Sequence, residues 1–81
     1  MKKVDVIMPK FGLTMTKGTI VEWKKRIGEK VKKDEVIAII ESEKLTGEIK
    51  APKNGILVEI LYKVGDEVPV GETIAIIEVE E

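Results

Sequence analysis

Polar and apolar residues along this chain alternate at a spacing of two over several stretches, and in two places the apolar residues run together. Thr19, Val21 and Trp23 alternate with Glu22 and Lys24, while Gly47, Ile49 and Ala51 alternate with Thr46, Glu48 and Lys50. Each alternation predicts a strand with one face turned inward. The blocks 36–41 and 73–79 are short, rich in β-branched residues and bounded by turn signals, which predicts buried strands. Reversals are expected at Lys10 to Gly18, Ile27-Gly28-Glu29, Ser42 to Leu45, Lys53-Asn54-Gly55, Val64-Gly65-Asp66 and Val70-Gly71-Glu72. Asn54-Gly55 is the pair that favours a tight hairpin. The segments between these turns amount to about eight short strands.

The pattern occurs twice. At an offset of 37, Gly18 to Lys44 overlies Gly55 to Glu81 without a gap, and 12 of the 27 pairs are identical, among them Gly28/Gly65 and the block 37–41 over 74–78. Upstream, Pro9-Lys10-Phe11-Gly12 resembles Pro52-Lys53-Asn54-Gly55 at an offset of 43, so the first copy carries six extra residues (43 − 37 = 6), roughly Leu13 to Gly18. Two copies are too few for a solenoid and point to a closed domain with internal pseudo-two-fold symmetry. The repeat also decides the one ambiguous stretch, Glu29 to Leu45, which has helix-like Lys and Glu content. Its counterpart holds Pro69 and Gly71, which cost about 3 and 1 kcal/mol inside a helix, so neither copy is expected to be helical. The expected fold is all-β: one domain over 1–81, a flattened barrel or sandwich of two similar four-stranded halves.

Composition narrows the chemistry. The 81 residues hold neither Cys nor His, which removes thiol nucleophiles, disulfides, the commonest metal ligands and the usual general base. No catalytic residue and no metal site are assigned. Fourteen basic against 15 acidic side chains give a net charge of −1, spread along the chain, and only three aromatics are present. A nucleic-acid-binding barrel needs a basic groove and stacking platforms, so neither nucleic acid nor a membrane is an expected partner. Lys2 and Lys3 are followed by Asp5 and Pro9 before any apolar signal-peptide core forms. A cytoplasmic location is expected.

One turn departs from the rest. Ser42-Glu43-Lys44-Leu45 contains no Gly, Pro or Asn, although every other reversal contains Gly. A type I turn tolerates most residues, so the sequence there is free to serve something other than turning. Glu41 and Glu43 recur as Glu78 and Glu80, but Lys44 falls opposite Glu81, so whatever Lys44 does is done once. The pseudo-two-fold also sets the lysine tip and the C-terminus at symmetric, opposite places. Trp23, aligned with Ile60, is expected in the core; Tyr62, aligned with Lys25, is expected to be exposed; Gly28 and Gly65 are expected at matched turns that need a permissive backbone.

Glu41-Ser42-Glu43-Lys44, with Val36 to Ile40 before it and Ala51-Pro52 and Gly55 after it, resembles the Glu-Thr/Ser-Asp-Lys-Ala signature of lipoyl domains. Met8-Pro9-Lys10-Phe11-Gly12-Leu13-Thr14-Met15-Thr16 is similar to the opening of such domains in acyltransferase components of 2-oxo acid and acetoin dehydrogenase complexes. The likeness covers nearly the whole chain. It implies a flattened β-barrel of two four-stranded sheets (a barrel-sandwich hybrid), with lipoate joined by an amide to Lys44. The domain is then not an enzyme itself. Its implied partners are a lipoate ligase or lipoyl/octanoyl transferase, a thiamine-diphosphate-dependent decarboxylase, an acyltransferase catalytic domain and dihydrolipoyl dehydrogenase. Candidate recognition residues are Glu41, Ser42, Glu43, Leu45 and Glu48 about the tip, with Phe11, Leu13, Thr14 and Met15 from the long loop; Phe11 and Met15 serve equally well as caps on one end of the barrel.

Two positions depart from the lipoyl pattern. Glu43 stands where Asp is usual, and Leu45 replaces the usual Ala. A bulky aliphatic after the lysine is similar to biotinyl domains, whose signature is Met-Lys-Met or Met-Lys-Leu, but the residue before Lys44 is acidic, which favours lipoate over biotin. The alternatives are a biotinyl carrier of a carboxylase or decarboxylase and an unmodified β-barrel interaction module.

Overall fold

In the computed structural model, which describes residues 2–43 and 45–79, the alternating segments form eight strands: β1 (Lys2–Ile7), β2 (Lys17–Trp23), β3 (Lys30–Val31), β4 (Val36–Glu41), β5 (Thr46–Lys50), β6 (Gly55–Ile60), β7 (Glu67–Pro69) and β8 (Thr73–Val79). They make two antiparallel four-stranded sheets, ordered β1-β8-β6-β3 and β5-β4-β2-β7. No strand of one sheet pairs with a strand of the other among the described residues, so the fold is the sandwich and not a closed barrel. The segment from Glu29 to Leu45 contains β3 and β4 and no helix in its described part.

The sequence repeat becomes a rotation. Shifting by 37 carries β2, β3 and β4 onto β6, β7 and β8, and β5 corresponds to β1. The halves do not form one sheet each: every sheet takes two strands from each half. Loop hydrogen bonds obey the same symmetry. The Gly28 N–H donates to the Leu57 carbonyl (2.7 Å) as the Gly65 N–H does to Ile20 (2.8 Å), and the Leu57 N–H donates to Glu29 (3.0 Å) as Ile20 does to Asp66 (3.0 Å). Gly28 and Gly65 both hold a left-handed backbone, with φ of 96° and 95°, as their matched turns require.

The core is built mainly from the two Ile-rich strands. Ile37, Ala38 and Ile40 of β4 and their equivalents Ile74, Ala75 and Ile77 of β8 are fully buried, and each large aliphatic contributes about 1.5–3 kcal/mol. Neighbouring residues 37 and 38 both point inward because the β4–β5 register slips between Val36 and Ala38, leaving Ile37 unpaired; β1–β8 slips in the same way opposite Ile74. An extra residue at a bulge resets the two-residue period, and the apolar run without alternation follows from it.

The same device corrects one expectation. β2 slips against β4 between Ile20 and Glu22, so Val21 is turned outward (44% exposed) and Ile20 is the buried residue. Trp23 returns to the core edge, half-buried, and its Nε1–H donates to the Tyr62 carbonyl at 3.0 Å. Tyr62 packs against the core beside it and is not exposed as its alignment with Lys25 implied. Gly18 and Gly55 lie inside strands and not in turns. Asn54-Gly55 therefore joins two sheets instead of closing a hairpin, its Asn54 Oδ1 accepting from the Lys33 N–H at 2.7 Å.

Candidate functional site: the β4–β5 hairpin and the long loop

β4 and β5 are the only described strands adjacent both in sequence and in a sheet, so their connection is the one true hairpin. Glu41 pairs with Thr46 at its mouth. Beyond them the Ser42 N–H donates to the Leu45 carbonyl (2.7 Å), the Ser42 hydroxyl donates to the same carbonyl (3.1 Å), and the Leu45 N–H donates back to that hydroxyl (3.2 Å). Ser42, half-buried, thus supplies the turn chemistry that Gly, Asn or Asp supplies elsewhere, so its first role is to close the tip. Glu43 is exposed and Leu45 is 48% exposed. Lys44 lies outside the described residues, as does Glu80.

The long loop, residues 8–16, folds back beside this hairpin. The Met15 N–H donates to the Gly12 carbonyl (3.1 Å), and the Phe11 N–H reaches Met15 Sδ (3.2 Å), forming a tight turn that carries Leu13 and Thr14. Phe11 and Met15 pack against the core, in keeping with the capping role; Leu13 is 95% exposed and Thr14 is exposed. Between loop and hairpin runs an open groove of about 710 Å³, with Thr14, Met15 and Thr16 on one side and Glu41, Glu43 and Leu45 on the other. Lys17 and Glu67, also lining it, are 3.2 Å apart. Glu48 is exposed on β5 and lies outside the groove lining.

The structure therefore gathers eight described candidates around one end of the sandwich and divides their work. Leu13, Thr14, Glu43 and Leu45 face outward with Glu41; Phe11, Met15 and Ser42 hold the others in position. Gly47, expected only to continue the alternation of its strand, also belongs to this end, because the Phe11 ring lies directly over it. Among the described residues no group of His, Cys, Asp and Glu is arranged to hold a metal ion.

The described strands thus make two pseudo-symmetric sheets with a single sequential hairpin among them, in the segment that reads Glu-Ser-Glu-Lys-Leu. The chain belongs to the biotinyl/lipoyl attachment family: the family model described as "Biotin-requiring enzyme" matches residues 4–77. The dihydrolipoyllysine-residue acetyltransferase component of the acetoin cleaving system of Bacillus subtilis is 48% identical over 54 residues, 67% of this chain and 14% of that protein. The dihydrolipoyllysine-residue succinyltransferase component of the 2-oxoglutarate dehydrogenase complex of Rickettsia conorii is 44% identical over 55 residues, 68% of this chain and again 14% of its own length. The region of similarity thus spans about one seventh of these curated relatives. Among solved structures, the lipoyl domain of the 2-oxoglutarate dehydrogenase complex of Azotobacter vinelandii superposes with a TM-score of 0.78 at 35% identity, covering 96% of this chain and 99% of that one. Kluyveromyces lactis urea carboxylase shares the fold, with a TM-score of 0.80 at 24% identity over 96% of this chain and 6% of its own.

Proposed function

We propose that this chain is the lipoyl-bearing, swinging-arm domain of an acyltransferase component in a 2-oxo acid or acetoin dehydrogenase complex, with Lys44 as the attachment residue. The reading is supported by the position of Glu41, Ser42, Glu43 and Leu45, which flank Lys44 in the sequence and lie at the one sequential hairpin among the described strands, in a domain similar over nearly its whole length to a lipoyl domain. The group fits the residues present, since the motif supplies an amine and the flanking Ser42–Leu45 bonds close the turn without burying Glu43 or Leu45. Once attached, lipoate supplies a dithiolane that takes up and gives off acyl groups and electrons.

The protein's own part is display and recognition. Amide formation removes the Lys44 charge and takes the net charge from −1 to 13 − 15 = −2. The sheet behind the tip limits its wandering. Leu13, Thr14, Glu43 and Leu45 form the surface offered to a lipoate ligase or lipoyl/octanoyl transferase, and then to the decarboxylase, the acyltransferase catalytic domain and dihydrolipoyl dehydrogenase. Tethering raises the local concentration at each of these.

Leu45 favours a second reading, a biotinyl carrier. Expression with lipoate ligase and, separately, with biotin ligase, followed by intact-mass measurement, separates the two. A single lipoyl adduct, absent from Lys44→Arg, is expected; a biotin adduct without a lipoyl one overturns the proposal.

A further inference from the structure

Gly47 stands in β5 directly behind the hairpin tip, and the Phe11 ring occupies the space where its side chain would be. A Cβ on Gly47 would fall 2.6 Å from both Cε atoms of that ring and closer still to Cζ. Atoms do not approach so closely, so the ring and a larger residue at 47 exclude one another. The pseudo-two-fold shows that the strand itself does not require glycine. Gly47 pairs with Ile40 in β4, and the equivalent pair in the other sheet is Val4 with Ile77, where Val4 packs on the core with its own side chain. The long loop, six residues longer than its counterpart, brings the ring only to the hairpin side.

Seating the ring fixes the loop at both ends of its turn. Phe11 holds Met15 through its N–H, and Met15 holds Gly12 through its own. Leu45 reaches the same loop from the tip, its Cδ1 lying 3.7 Å from where a Cβ on Gly12 would stand. We propose that Gly47 is a specificity-determining residue of the attachment reaction: it is the seat for Phe11, and the seated ring docks the long loop on the hairpin so that the modifying enzyme meets loop and tip as one surface. Gly47 acts through Phe11 and is a positioning residue. The inference rests on the reading of Lys44 as the lipoylated residue.

The test compares the wild-type chain with Gly47→Val, which fills the seat as Val4 does, with Phe11→Ala, and with the double variant. In Gly47→Val, hydrogen exchange at the Phe11 and Met15 amides is expected to accelerate while protection of β6 and β8 is kept. With lipoate ligase, KM for the domain rises about tenfold while kcat stays within about twofold, the signature of lost recognition. The double variant is no worse than Phe11→Ala, since both changes remove one contact. Unchanged exchange at residues 11 and 15, a wild-type KM despite faster exchange, or additive losses in the double variant each overturn the proposal. Should Gly47→Val not fold, Phe11→Ala removes the ring without crowding β5 and carries the same comparison. If the wild-type chain takes no lipoyl group, the lipoyl reading fails on its own; the exchange arm still reads the seat, and the KM comparison is then made with biotin ligase.

Discussion

Gly65 and Gly28 are residues at which a single methyl group is costly although there is room for it. Both hold φ near +95°, with nothing within 4 Å of the place a Cβ would take. The penalty for a side chain is therefore backbone strain and not collision. Gly65→Ala is expected to lose about 1–2 kcal/mol in urea unfolding. At the remaining matched pair, Gly71 has φ 95° while Asp34 holds φ 70°, which short polar residues tolerate. Charge supplies the second prediction at this scale. The Glu35 carboxyl is held below its usual range, first by the Lys32 N–H (2.9 Å) and then by the Lys25 ammonium (2.9 Å). Its contribution is present above the ordinary carboxylate pKa and is lost as pH falls through the depressed folded value. Lys25 is pushed up, chiefly by its bond to Glu35, so its contribution is present below the ordinary lysine value and is lost as pH rises through the raised one. Glu35→Gln should flatten both limbs of a melting-temperature-against-pH profile. The turn glycines were legible because the repeat set them at matched breaks in pattern. Ser42 and Gly47 were not: a serine closing a turn looks like any polar loop residue, and the reason for a strand glycine lies in a ring from a distant loop.

At the scale of elements, the strands followed from period and repeat, and their slips did not. A bulge is one unpaired residue with no compositional mark, so a strict alternation carried through it assigns the wrong face. β2 shows the result: Ile20 is buried and Val21 looks outward. Ile20→Ala should cost about 2–5 kcal/mol, whereas Val21→Thr should stay within about 0.5 kcal/mol. Denaturant midpoints of the two variants read the difference directly. The hairpin was legible as a turn, and the motif drew attention to it. That it is the only hairpin between consecutive described strands was not, because the pairing partners of β4 and β8 are a property of the assembled sheets.

For the whole molecule, the repeat announced a two-fold but not the interleaving of its halves. The rotation also relates the hairpin tip to the chain ends: Glu41 opposite Thr46 at the tip corresponds to the far end of the β8–β1 pair, where Lys2 partners Val79. Met8, close to Gly18 and hence to Ile40 at the tip end, follows the other end of β1. The tip and the Lys2–Val79 pair thus stand at opposite ends of the sandwich, which extends 36 Å along its longest axis. This arrangement has a consequence for synthesis on the ribosome. β8 emerges last among the described strands, yet it lies between β1 and β6 and supplies half of the fully buried isoleucine core. The first half of the chain can complete neither sheet, since each needs two strands from the second. A chain ending at Gly71 should therefore show no cooperative unfolding and no dispersed amide spectrum. Folding of this region waits for its final strand to clear the exit tunnel, and the β4–β5 hairpin takes its finished form only at that moment.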